Sequence, residues 1–62
     1  MREMIEIGDQ VLVRHYDDKT SSNAVVVDYD ISVQHGMQFL VKFNSDGFTT
    51  SYPSSRLMKA GN

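Results

Sequence analysis

Three groups of side chains in this sequence have the types that chemistry needs. Asp28 and Asp30 stand two apart, so on a strand they share one face. Paired carboxylates can share a proton or hold a cation, although two acids at a strand end are ordinarily solvated, and the same holds for Asp17 and Asp18 in a charged loop. His15 has the type of a general base, but no serine, cysteine or acid can be placed beside it from spacing alone. The third group is aromatic. His15, Tyr16, Phe43, Phe48 and Tyr52, with Asp46 between the two Phe residues, cluster at the corners of short apolar stretches. Rings of this kind offer contact area and a cation–π face, which is recognition chemistry.

Other chemistries find no support in the residues. There is no cysteine, so there is no disulfide, and His15 and His35 lie on different elements without metal spacing. No glycine-rich phosphate loop occurs. No catalytic residue, metal ligand or cofactor is therefore assigned. The net charge of −2, from eight acidic and six basic side chains, disfavours nucleic acid as a partner. Arg2, Arg14, Lys19, Lys42, Arg56 and Lys59 are scattered and form no run. "MREMIEIGDQ" holds no apolar run long enough for a signal peptide or a membrane span. The expectation is a soluble cytoplasmic protein, and the chain, which starts at Met1, reads as a complete small gene product, with a domain cut from a longer protein as the alternative.

With 62 residues the chain is one domain, small enough to be marginally stable. Oligomerisation is the staple left open to it. No window carries a helical period; the apolar residues fall in short β-branched runs between turn formers. "IGDQVLVRHY" (7–16) opens with a Gly-Asp turn and becomes a strand with Val11 and Val13 on one face. A polar loop at 17–23 leads to a strand at 24–30, which sets Val25, Val27 and Tyr29 against Val26, Asp28 and Asp30. After a loop at 31–36, a third strand at 37–44 carries Phe39, Val41 and Phe43 on one side. "NSDG" (44–47) suits a tight turn with Gly47 at positive φ. A fourth strand (48–52) is stopped by Pro53, a 3₁₀ turn follows at 53–56, and 57–59 closes as a fifth strand.

The expected fold is an all-β, five-stranded, strongly bent SH3-like barrel over 7–59, with an N-terminal extension (1–6) and a flexible tail (60–62). The stretches "GDQVLVR", "AVVVDYD", "FLVKFNSDGF" and "SSRLMK" resemble Tudor-type and related SH3-like barrels across nearly the whole chain. That resemblance implies a cage for methylated lysine or arginine near His15 or Tyr16, Phe43, Asp46 and Phe48. The family has Trp or Tyr at the first of these positions, where this chain has His15-Tyr16 and no Trp, and Ser22, Asn23 or Ala24 stands where it has a second-strand aromatic. A weaker likeness links "GDQV" and "SYPSSRLMKA" to the plasmid-encoded type II dihydrofolate reductases, which assemble as tetramers around a pore that binds NADPH and dihydrofolate. Tyr52 and Pro53 match that family's pore strand; Thr50 and Ser51 replace its Gln and Ile, and Val13 stands in place of its lysine. The fold, and with it an assembly of this kind, carries over from this likeness; the activity does not.

Phe39 is expected in the core, whereas Phe43 and Phe48 fit either a structural edge or a pocket. Tyr16, Tyr29 and Tyr52 suit a rim. Val26 and Leu40, and with them Leu12, are expected to point outward and form an oligomer interface, because their strands are apolar on both faces. The reading is a non-enzymatic module that binds a protein or peptide partner through His15, Tyr16, Phe43, Asp46, Phe48 and Tyr52. Asp46 would favour a partner's Lys or Arg. A pore enzyme, a nucleic-acid accessory protein and a structural subunit of a mobile element or phage are the alternatives.

Overall fold

The computed structural model describes residues 4–34 and 36–60. It is all-β. Strands β1 (Gln10–Arg14), β2 (Ser21–Ser32), β3 (Gly36–Phe43), β4 (Thr49–Pro53) and β5 (Leu57–Lys59) form one antiparallel sheet in the order β4-β3-β2-β1-β5. A 3₁₀ turn, Ser54–Arg56, joins β4 to β5.

That connection forces the sheet to curl. β4 and β5 are its two edges, and in a flat five-stranded sheet they would lie about 19 Å apart. The chain from Pro53 to Leu57 spans about 14 Å at most even when fully extended, and a 3₁₀ turn rises only about 2 Å per residue. The sheet therefore wraps around a single core. Val11, Val13, Ala24, Val26, Phe39, Val41, Phe43 and Tyr52 fill it, and Ile5 and Leu57 pack against it. Ile5 thus draws part of the N-terminal segment into the fold.

The alternation rule holds in β1 and β3, where Val11 and Val13, then Phe39, Val41 and Phe43, are all buried. It breaks in β2. Val26 pairs with Val41 and Asp28 with Leu40, so a bulge at Val27 puts an extra residue into the strand. Val26 and Tyr29, three apart, consequently face the same side of the sheet. The expectation that Val26 points outward is corrected here. It is 1% exposed and lies in the core, because Ala24 and Val26, not Val25, carry the inward phase. A run of three valines does not reveal that phase. Leu40 does face away from the core, opposite Asp28 and Ser51, and is half-buried. Leu12 lies on the same outer face, opposite Asn23 and Met58.

β2 is also longer than its apolar run. It begins at Ser21, so the polar loop is confined to 15–20, and it continues through Ile31 and Ser32. Ser21, Ser22 and Asn23 look like loop residues but take ladder positions opposite Arg14, Val13 and Leu12. The turn at 44–47 forms as its residues require: Gly47 has φ 76°, and its N–H donates to the Phe43 carbonyl at 2.9 Å.

Candidate functional site: an aromatic stack at one end of the sheet

β1 ends at Arg14, and the next two residues carry rings. His15 faces inward and stacks on Phe43 with centroids 5.6 Å apart. Phe43 meets Tyr52 edge to face at 6.3 Å. Tyr52 in turn stacks under Tyr16 at 5.4 Å, with the planes 21° apart. Four rings from β1's end, β3 and β4 thus make one continuous stack from the core to the surface. Phe43 and Tyr52 are buried in it; Tyr16 is 65% exposed. Tyr52 was expected at a rim, but Tyr16 covers it.

The outer ring is also held by a cation. The Arg56 guanidinium lies 4.6 Å from the Tyr16 centroid. Its Nη1 donates to the His15 carbonyl at 2.9 Å and to the Asp18 carboxylate at 2.7 Å. Arg56 comes from the 3₁₀ turn, which the closing connection places beside the loop after β1. The loop supplies its own order. Asp17 Oδ1 accepts from the backbone N–H groups of Lys19 and Thr20, and the Thr20 hydroxyl donates to Asp17 Oδ2 at 2.9 Å. These hydrogen bonds hold the Asp17 carboxyl below its ordinary pKa, the Lys19 and Thr20 backbone groups contributing most. Asp18 takes φ 59°, the left-handed conformation that Asp and Asn tolerate better than most residues.

His15 also has a partner that its spacing did not reveal. Its Nε2 lies 2.8 Å from Ser22 Oγ, across the loop on β2. A serine hydroxyl on an imidazole is the first half of a nucleophile–base unit. The second half, a group hydrogen-bonded to the other ring nitrogen, is not seen among the described residues, where Nε2 makes the ring's one hydrogen bond and Asp17 interacts with His15 only through its charge. The pair fixes the ring against Phe43. Likewise, among the described residues no three His, Cys, Asp or Glu side chains gather to hold a metal ion; His35 lies outside them.

The hairpin residues stand apart from the stack. The Asp46 carboxylate accepts from the Phe48 N–H at 2.9 Å, which shapes the turn. Phe48 is joined to Phe43 through a backbone bond, Phe43 N–H to Phe48 carbonyl at 2.9 Å, while its own ring is 61% exposed. Among the described residues Phe48 makes no ring contact with the stack. The structure therefore brings His15, Tyr16, Phe43 and Tyr52 together, leaves Phe48 and Asp46 on the neighbouring turn, and adds Arg56, Asp18 and Ser22. Arg56 lies 41 residues from His15, and only the return of the last connection to β1 could have signalled it.

A second apolar surface lies toward the β2–β3 turn. Met4, Ile5, Met37, Phe39, Leu57 and Met58 line a shallow groove of about 630 Å³ with Ser54, Ser55 and Lys59. Among the described residues no helix is long and apolar enough to cross a membrane. No protein-family model matches this chain, and neither a curated protein nor a solved structure does.

Proposed function

We propose that this chain is a non-enzymatic interaction module of the SH3-like, Tudor-related kind, which binds a protein or peptide partner through the exposed Tyr16 and the adjoining 44–48 turn. The supporting observation is the position of Tyr16. A ring 65% exposed is stacked on Tyr52 and held by the Arg56 guanidinium 4.6 Å from its centroid. A rigid, amphipathic ring offers contact area at little entropic cost, which is what hot-spot residues do. Phe48, also exposed and bonded through its backbone carbonyl to the Phe43 N–H at 2.9 Å, would add a second apolar contact on the turn after β3.

The stack modifies the expected ligand chemistry. In a methyl-lysine cage the cation comes from the partner; here Arg56 already covers one face of Tyr16. A partner's Lys or Arg would approach the Tyr16 edge and Asp46, or exchange with Arg56. The reductase-like reading has less support, because Tyr52, its matching pore residue, is 7% exposed beneath Tyr16. The nucleic-acid reading weakens as well: Arg56 and Lys59 are both paired with carboxylates, those of Asp18 and Asp9. Assembly into a homo-oligomer would draw on Leu40 and the methionine-lined groove, no longer on Val26.

A peptide array bearing Lys, Arg and their methylated forms tests the proposal. Tyr16→Ala and Phe48→Ala should each weaken the captured peptides at least about tenfold, as for truncated hot-spot aromatics, with the fold intact by circular dichroism. Folded variants that retain full binding would refute it.

A further inference from the structure

The hairpin of β2 and β3 carries a feature that the aromatic stack does not use. β1 pairs with β2 only up to Val25, whereas β3 stays paired with β2 to Ser32. At Val26 the chain still reaches the first strand's side: its N–H donates to the Asp9 carbonyl at 3.0 Å, and its carbonyl accepts from the Gly8 N–H at 2.7 Å. Beyond it, among the described residues, that side of β2 has no strand beside it from Val27 to Ile31.

The direction of the backbone groups there can be worked out. In an antiparallel ladder, alternate residues turn their N–H and C=O to the same side. The bulge at Val27 shifts the count by one, so Tyr29 and Ile31 follow Val26 and face the unpaired side. Their N–H groups are consistent with this. Tyr29 N–H donates at 2.8 Å to the Asp28 carboxylate, and Ile31 N–H at 3.0 Å to that of Asp30. Among the described residues, each N–H is thus satisfied only by the side chain immediately before it. Such local bonds compete with strand pairing, and acidic side chains on an edge blunt casual association.

The two faces of the edge differ sharply. Tyr29 and Ile31 lie on the face of Phe39 and Met37, their ladder partners, and are 50% and 70% exposed. Asp28 and Asp30 lie on the other face, opposite Leu40 and Gln38. A strand docking here would meet apolar and acidic positions in strict alternation.

We infer that the Val27–Ile31 edge is a second recognition site, which takes an extended peptide segment alternating apolar with Lys or Arg residues. Main-chain bonds from the Tyr29 and Ile31 groups supply affinity, as in other cases of strand addition. The apolar residues cover Tyr29 and Ile31; the basic residues lie opposite Asp28 and Asp30, releasing the carboxylates from their own backbone. Charge selects this occupant over a second copy of the chain. A two-fold antiparallel pairing of β2 with itself centred on Tyr29 would set Asp28 of one copy against Asp30 of the other, and like charges directly opposite are unfavourable.

The test uses the ¹⁵N-labelled full chain and an acetylated, amidated seven-residue peptide alternating valine and lysine. Two control peptides are the same sequence N-methylated along one edge and an alternation of valine with glutamate. The expected result is a set of amide shifts centred on Tyr29 and Ile31. N-methylation should weaken binding at least about tenfold, since the edge bonds are lost. The double variant Asp28→Lys, Asp30→Lys should prefer the valine–glutamate peptide, by about tenfold. Binding that N-methylation leaves unchanged would mean simple charge attraction and would overturn the inference. So would shifts that avoid Val27–Ile31, or shifts at Tyr29 and Ile31 that grow with protein concentration when no peptide is present. The site is separate from Tyr16, so Tyr16→Ala should leave this titration unaltered.

Discussion

Replacing Arg56 with methionine removes one guanidinium that joins three parts of the site. The bond to the His15 carbonyl, at 2.9 Å and partly buried, is charge-assisted and worth about 1.5–3 kcal/mol. The ion pair with Asp18 is short, at 2.7 Å, but Asp18 is 63% exposed, so solvent screening leaves about 0.2–1 kcal/mol. The cation–π contact with an exposed Tyr16 adds about 0.5–1 kcal/mol. One group makes all three contacts, so they do not add fully, and the methionine stem retains part of the packing. The net loss should be about 2 kcal/mol. A 62-residue domain has about 3–9 kcal/mol in total, so urea unfolding should show a large fall in midpoint with an unchanged slope. Asp18→Asn keeps a residue that tolerates positive φ and removes only the ion pair. Its cost should stay below about 1 kcal/mol and vanish in 1 M salt, where screening acts within about 3 Å. A double-mutant cycle of Arg56→Met with Tyr16→Leu isolates the ring contact. An Arg56→Met loss under about 0.5 kcal/mol, no larger than an ordinary surface substitution, would refute the clamp.

Further outcomes follow from the same contacts. Val26→Ala removes two methyl-sized groups from a closed core and should cost about 2–3 kcal/mol, transfer and cavity terms together; a near-zero cost in urea unfolding would mean the side chain is not buried. Gly47→Ala forces a Cβ into φ 76° and should cost about 1–2 kcal/mol by the same measure. Acid should loosen the 15–20 loop. The Asp17 carboxyl is lowered by its backbone bonds and that of Asp9 by the Glu6 N–H. Their stabilisation is complete above the ordinary carboxylate range of about 4 and is lost as pH falls through the lowered folded values, so tyrosine fluorescence and thermal midpoint should change below that range and not above it.

Much of the fold could be read from side-chain alternation. Val11 and Val13, and Phe39, Val41 and Phe43, mark one buried face because every second residue is apolar. Gly47 and the 3₁₀ turn, expected at 53–56 and found at Ser54–Arg56, were legible because each residue type meets a backbone demand, whereas Pro53 is the last paired residue of β4, opposite Gln38, and not the first of the turn. The second strand was not. Val25, Val26 and Val27 give no phase, and the bulge that decides it is a pairing event with β3. Ser21 and Ser22 are loop-like in type, and only the β1 register makes them strand. At the site, Tyr16 and Phe43 were found because rings are conspicuous. Ser22 and Arg56 were missed because their roles come from contacts across the loop and across the chain's closure. Phe48 was grouped with them because it flanks the same turn as Phe43, but it is 61% exposed and, among the described residues, makes no ring contact with the stack.

The most direct test of the recognition role is a map of where a ligand touches. The tightest Lys- or Arg-bearing peptide from the array should be titrated into ¹⁵N-labelled protein. Amide shifts are expected at Tyr16, Asp18, Asp46, Phe48 and Arg56. Saturable shifts elsewhere, with Tyr16 and Phe48 unmoved, would contradict it.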